Sequence, residues 1–188
     1  LEDRSPVNTE WLLARMQKGT AAHAQQAVAA ARRAFPAWSR TRWQERVRLV
    51  RKAASILEQR IFDLGAAMAL EVGKNRMESL GDVQETADLI AWYCDQMESH
   101  AGFVRVLPDD PLPGFRSHNR TRLRPYGVWA VIAPFNFPFA LAGGPIGAAL
   151  VSGYFKSRQQ TAEEPLYRNV WALLRDFGDA EIAIQEEV

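Results

Sequence analysis

The chain has 188 residues, 47% of them hydrophobic, enough for one domain or a large piece of one with a sizeable core. Its 23 Lys and Arg stand against 22 Asp and Glu, and a net charge of +1 gives no electrostatic basis for expecting nucleic acid or an anionic membrane. The single cysteine, Cys94, excludes an internal disulfide framework and a thiolate-rich metal site; no apolar run is long enough to span a bilayer, and no basic-then-apolar signal stretch opens the sequence, which points to a cytoplasmic protein.

Residues 20–35 are Ala-rich, and Ala24, Ala27, Val28, Ala31, Ala34 and Phe35 recur at intervals of three and four, the spacing of a helix with one apolar face. Pro36 is expected to end it. Thr41 and Gln44 have the spacing of a capping box for a second helix, whose stripe runs Val47, Val50, Ala54, Leu57, Ile61, Leu64. Gly73, with Lys74 beside it, reads as a helix end. A long helix over about 76–99 follows, with Leu80, Val83, Ala87, Ile90, Cys94 and Met97 on one face. Cys94 is in step with that face, so it reads as a small buried hydrophobe and not as a nucleophile.

The pattern changes at Gly102. Phe103–Leu107 reads as a strand, residues 108–114 as a turn-rich loop, and the alternation of Arg120, Arg122 and Arg124 with Thr121 and Leu123 as a strand with one solvated face. Residues 127–133 are continuously apolar, as in a strand buried on both faces of a parallel sheet. A small-residue helix is expected over 139–152, with Gly143-Gly144-Pro145 letting it approach the sheet closely rather than cradling a phosphate. A further helix fits 163–177. His23, His100 and His118 share no metal-ligand spacing and read as surface or hinge residues, and the six tryptophans read as core packing. Helices, a hairpin and a buried strand leading into a helix together make an α/β architecture entered through an N-terminal helical layer.

The chemistry is concentrated at Pro134-Phe-Asn-Phe-Pro138. In an open α/β sheet, ligands bind beyond the carboxyl ends of the strands. Asn136 stands just beyond the apolar run, where its amide N–H can meet a developing oxyanion, and flanking prolines restrict the turn that carries it. The bland alternative is a turn asparagine with no further role; the surrounding motif favours the chemical one.

Pro134-Phe-Asn-Phe-Pro138 resembles the Pro-x-Asn-Phe-Pro motif of the aldehyde dehydrogenase superfamily. The resemblance extends to Ala27–Trp38, Trp43–Val47, Leu70–Lys74, Gly81–Ile90, Tyr93–Met97 and Phe139–Pro145, and so covers about residues 5–153. Within the superfamily it is most similar to 1-pyrroline-5-carboxylate (L-glutamate γ-semialdehyde) dehydrogenases. The resemblance implies an aldehyde-dehydrogenase-like N-terminal helical layer over residues 1–102, a hairpin of the oligomerisation region over 103–125, and the start of an incomplete Rossmann-type parallel sheet over 126–188. It implies Asn136 as part of an oxyanion hole, and Ile132, Ala133, Pro134 and Phe135 as a border of an NAD (or NADP) site. It also implies a small aldehyde as substrate, with self-association into a homo-oligomer an open matter.

The pattern departs from the family after Gly153. The family continues through a second buried strand into a Lys-Pro pair that meets the cofactor's ribose; here Lys156 is the nearest counterpart, the strand is shortened and the proline is absent. The family's nicotinamide-side glycine loop, general-base glutamate and nucleophilic cysteine are not found in these 188 residues, and Glu71 matches an early helix end, not the general-base motif. The expectation for the 188-residue chain by itself is no dehydrogenase turnover. Two readings stay open: a working part of an oxidoreductase of proline catabolism, and a catalytically inactive fragment serving at most as a binding or assembly module.

Overall fold

In a computed structural model, the described residues are 1–153 apart from Phe115. Lys156 and the helix expected over 163–177 lie outside them. The element order is β1 (Glu2–Arg4), β2 (Leu12–Arg15), α1 (Ala21–Arg40), α2 (Trp43–Gln59), α3 (Ile61–Val72), α4 (Arg76–Ser99), β3 (Val104–Val106), β4 (Arg120–Arg122) and α5 (Ala140–Ser152). The strands form two small antiparallel hairpins, β1–β2 and β3–β4; in the second, Val104 pairs with Arg122 and Val106 with Arg120.

The core is helical. Val47, Val50, Ala54 and Leu57 of α2 meet Ala87, Ile90, Cys94 and Met97 of α4, with Val151 of α5 closing the cluster. α4 is the central element, packing against α2, α3 and α5. Its stripe is the expected one and its bounds are those expected, because Asn75 caps its first turn by accepting from the Glu78 N–H at 2.9 Å. Gly73 ends α3 at φ 76°, a left-handed conformation that glycine adopts without strain.

Several local expectations are corrected. Pro36 does not end α1, which continues to Arg40. The missing Pro N–H removes one ladder bond, and the exposed side of the helix absorbs it. α1 starts instead with a capping box between Thr20 and His23, so His23 is a capping residue. Thr41 and Gln44 form no such box. Thr41 donates its hydroxyl back to the Ala37 carbonyl, and Arg42, which precedes α2, gives it no side-chain cap. The expected second helix is two, broken at Arg60, whose ψ of 15° leaves the helical range.

The strand expected over Phe103–Leu107 is only Val104–Val106, because Ala101, Gly102 and Phe103 all have positive φ and turn the chain sharply out of α4. Gly102 is required there: a Cβ would stand 2.3 Å from Trp43 Cδ1. His100 stacks on Phe103 at this corner, with ring centroids 5.0 Å apart. Residues 127–133 form no ladder with any described residue, so the parallel sheet expected there is not among the described elements. A strand exists only with a hydrogen-bonded neighbour, which apolar patterning does not supply. Of the tryptophans, Trp43 packs on the core, whereas Trp11 and Trp92 are about half exposed.

Gly143 and Gly144 do bring α5 into close approach, and among the described residues the partner is α4. Cβ atoms at Gly143, Gly144 and Gly147 would meet Thr86, Leu89 and Ile90 at 2.3, 2.8 and 2.6 Å. With helical residues on both sides, this Gly-Gly-Pro segment is no phosphate loop. No helix among the described residues is long and apolar enough to cross a membrane.

Candidate active site

Asn136 lies in the turn between the apolar run 127–133 and α5, with Pro134 half-buried on one side and Pro138 on the other. Its side chain is exposed, and its amide has no hydrogen-bond partner among the described residues. Of the residues expected to border a nucleotide, Ala133 is buried and Pro134 half-buried. Ile132 and Phe135 are exposed, at 48% and 64%. These four and Asn136 form one continuous stretch; Lys156 lies outside the described residues.

α5 follows directly, and side chains from other elements hold both of its ends. At its start the Ala140 N–H donates to Asp82 Oδ1 at 2.8 Å, while Lys74 Nζ donates to Asp82 Oδ2 at 2.9 Å. Asp82 is fully buried and Lys74 nearly so. The Lys74 ammonium also sits 3.7 Å from the centroid of the Phe137 ring, a cation–π contact with the residue next to Asn136. At the far end, the buried Arg46 donates to the carbonyls of Val151 at 3.1 Å and Ser152 at 3.4 Å, and to Thr41 at 2.5 Å. Trp38 Nε1 donates to the Leu150 carbonyl at 3.0 Å. Burial lowers the Arg46 pKa from its ordinary value. A carboxylate at the N-terminus and a guanidinium at the C-terminus both suit the helix dipole.

Sequence reasoning missed Lys74, Asp82 and Arg46 as parts of this arrangement. A signal was present: Ser79, Asp82 and Thr86 are polar residues in register with the apolar stripe of α4, and all three are buried. A charged residue on a buried face requires a partner.

The two residues open to confusion with catalytic groups are placed elsewhere. Cys94 is buried in the α2–α4 interface, its thiol 3.9 Å from the Val47 carbonyl, and burial pushes its pKa up to about 11. Glu71 stands in the last turn of α3; although exposed by area, its carboxyl is raised from the ordinary range, chiefly by desolvation and then by the nearby Asp3. Among the described residues, no group of three or more His, Cys, Asp or Glu could hold a metal ion.

The model of the aldehyde dehydrogenase family matches residues 1–162. The chain belongs to that family. It is 32% identical over 149 residues to a 1-pyrroline-5-carboxylate dehydrogenase of Staphylococcus epidermidis, covering 79% of this chain and 28% of that protein. It is 37% identical over 146 residues to an N-succinylglutamate 5-semialdehyde dehydrogenase of Serratia proteamaculans, covering 74% of this chain and 29% of that protein. Among solved structures, a Thermus 1-pyrroline-5-carboxylate dehydrogenase with bound NAD superposes with a TM-score of 0.73 at 33% identity, covering 81% of this chain and 29% of the other. The chain thus spans less than a third of the length of each of these aldehyde dehydrogenase relatives. The helical layer and the Asn136 turn fall within the matched residues.

Proposed function

We propose that this chain supplies the oxyanion-donor turn and one wall of the nucleotide site of an NAD(P)-dependent aldehyde dehydrogenase, with L-glutamate γ-semialdehyde as substrate. The observation that carries this reading is the exposed amide of Asn136, without a partner among the described residues, presented on a turn bracketed by Pro134 and Pro138 and leading into a helix held at both ends. In that reaction a cysteine thiolate attacks the aldehyde carbon, and the carbonyl oxygen gains negative charge as the C–S bond forms. A donor already in place stabilises that charge without reorganising. A nicotinamide bound against residues 132–135 would supply the hydride acceptor, and water would release the acid from the enzyme's cysteine. Cys94 does not serve as that nucleophile, because its thiol is buried and held protonated. The substrate assignment rests on likeness to relatives named for semialdehydes of glutamate and of its N-succinyl derivative.

The nucleotide would lie against Ile132, Ala133, Pro134 and Phe135, where Ile132 and Phe135 offer exposed apolar surface for an adenine or nicotinamide ring. NAD⁺ titration of the purified chain, followed by tryptophan fluorescence, tests this. Trp129 lies three residues before Ile132, so saturable quenching that Trp129→Phe removes is the expected result. No saturable change in a chain shown to be folded would overturn the nucleotide-wall reading.

A second reading, an assembly module without turnover of its own, is favoured by one observation. Val106 of β3 is 79% exposed, and residues 127–133 leave backbone groups without a ladder among the described residues. Incubation with L-glutamate γ-semialdehyde and NAD⁺ separates the readings. NADH formation by the 188-residue chain alone would sink the module reading, and association with a full-length relative without turnover would support it.

A further inference from the structure

The helix that follows the Asn136 turn has no cap of its own. Pro138 carries no N–H and Phe139 no side-chain oxygen, and α5 starts without a local side-chain cap. The acceptor comes from a residue 58 positions earlier: Asp82 Oδ1 takes the Ala140 N–H. The second oxygen of Asp82 holds Lys74, and Lys74 lies over the ring of Phe137. One buried ion pair therefore touches the chain at Phe137, next to Asn136, and at Ala140, four residues beyond it.

Asp82 is itself held. It stands mid-helix in α4, and its own carbonyl accepts from Thr86 Oγ1 at 2.8 Å. Lys74 is fixed on the other side by the left-handed Gly73 and the Asn75 cap. The pair thus joins α4, the helix that packs against α2, α3 and α5, to the turn that carries the exposed Asn136. A buried ion pair contributes little net stability relative to an apolar replacement, but it fixes geometry through directed hydrogen bonds.

We propose that Lys74 and Asp82 are positioning residues for Asn136: Asp82 sets where α5 begins, Lys74 sets where Phe137 lies, and together they aim the amide that immediately precedes Phe137. This rests on the reading of Asn136 as the oxyanion donor, but its test needs neither turnover nor cofactor. A failure of that reading, seen as unchanged turnover when Asn136→Ala is made in an enzyme with the family's nucleophile, is therefore distinguishable from a failure of this one.

The test is ¹⁵N NMR and amide hydrogen exchange on the whole chain, comparing Asp82→Ala, Lys74→Met and Lys74→Arg with wild type. Asp82→Ala is expected to speed exchange of the Ala140 amide by roughly ten- to a hundred-fold, as the loss of a charge-assisted bond implies. Amides of α2 over Val50–Leu57 should change by less than about twofold. Lys74→Met should shift the Asn136 side-chain NH₂ signals, and Lys74→Arg, which keeps the cation beside Asp82, should return them toward wild type. Uniform acceleration of all amides would reduce the pair to a general stability role and overturn the proposal. So would unchanged Asn136 and Ala140 signals in Lys74→Met. If Asp82→Ala fails to fold, the two Lys74 variants decide the matter.

Discussion

Replacing Gly143 by alanine should destabilise the protein, whereas the same change at Gly81 should stabilise it. Both are interior helical glycines, and alanine is favoured over glycine in a helix by about 1 kcal/mol. At Gly81 the new Cβ has no atom within 4 Å, so the full gain of about 1 kcal/mol should appear. At Gly143 the Cβ would stand 2.3 Å from Thr86 Cγ2. Thr86 cannot turn aside freely, because its hydroxyl is bonded to the Asp82 carbonyl. Overpacking of this kind costs about 1–3 kcal/mol, and a contact so short belongs at the upper end, leaving a net loss of about 2 kcal/mol. The two variants should therefore differ by about 3 kcal/mol, or about 1.5 M in urea midpoint at a slope near 2 kcal/mol/M. Gly144→Ala, whose one close contact is the terminal Cδ1 of the half-buried Leu89 at 2.8 Å, should be near neutral, and Gly147→Ala, 2.6 Å from Ile90 Cγ1, should lie between. Urea unfolding followed by tryptophan fluorescence measures all four. Adding Thr86→Ser, which removes Cγ2 but keeps the hydroxyl, should rescue most of the Gly143→Ala loss. Gly143→Ala at or above wild-type stability, or a Thr86→Ser background that brings no rescue, would refute the packing assigned to α4 and α5.

Other predictions follow from the same interfaces. Cys94 should resist alkylation in the native protein at pH 8 and react once urea unfolds it; fast labelling of the folded chain would contradict its burial. Because its folded pKa is raised to about 11 from an ordinary value of 9.0, the associated stability is present below pH 9 and is lost as pH rises through 11. The loss should be of the order of 3 kcal/mol, and Cys94→Ala should flatten that alkaline limb of the stability curve. Arg46→Met leaves the carbonyls of Thr41, Val151 and Ser152 without their guanidinium, and should cost about 2–4 kcal/mol in unfolding free energy. A cost below about 0.5 kcal/mol would mean water replaces it freely. In an enzyme with the family's nucleophile, Asn136→Ala should lower kcat by about 10²–10³ with NAD⁺ affinity unchanged, and an unaltered kcat would dismiss the oxyanion role.

The helical layer was legible because its signals are local. The stripe of α4 can be read from residues three and four apart, and Asn75 and Gly73 mark its boundary in the chain itself. Pro36 misled because helix tolerance of proline depends on what surrounds the broken ladder, and Thr41 misled because its hydroxyl had a nearer carbonyl at Ala37. The apolar run 127–133 gave the composition of a buried strand, but a ladder is a property of two segments. The contribution of Asp82 was hidden for the same reason: its partners stand 8 and 58 residues away, and only the packing of α5 on α4 brings Ala140 to it.

The two-ended anchoring of α5 turns its length into a dimension of the molecule. Thirteen residues at 1.5 Å each make a strut of about 20 Å between the Asn136 turn and Gly153. Substitutions along an exposed side of such a strut leave the span unchanged. A one-residue insertion or deletion does not: it rotates one end by about 100° relative to the other, so Asp82 and Arg46 cannot both keep their partners. Variation in this helix should therefore be free in identity on its open side and closed in number, and any lengthening that preserves both anchors would have to come as a bulge within the helix.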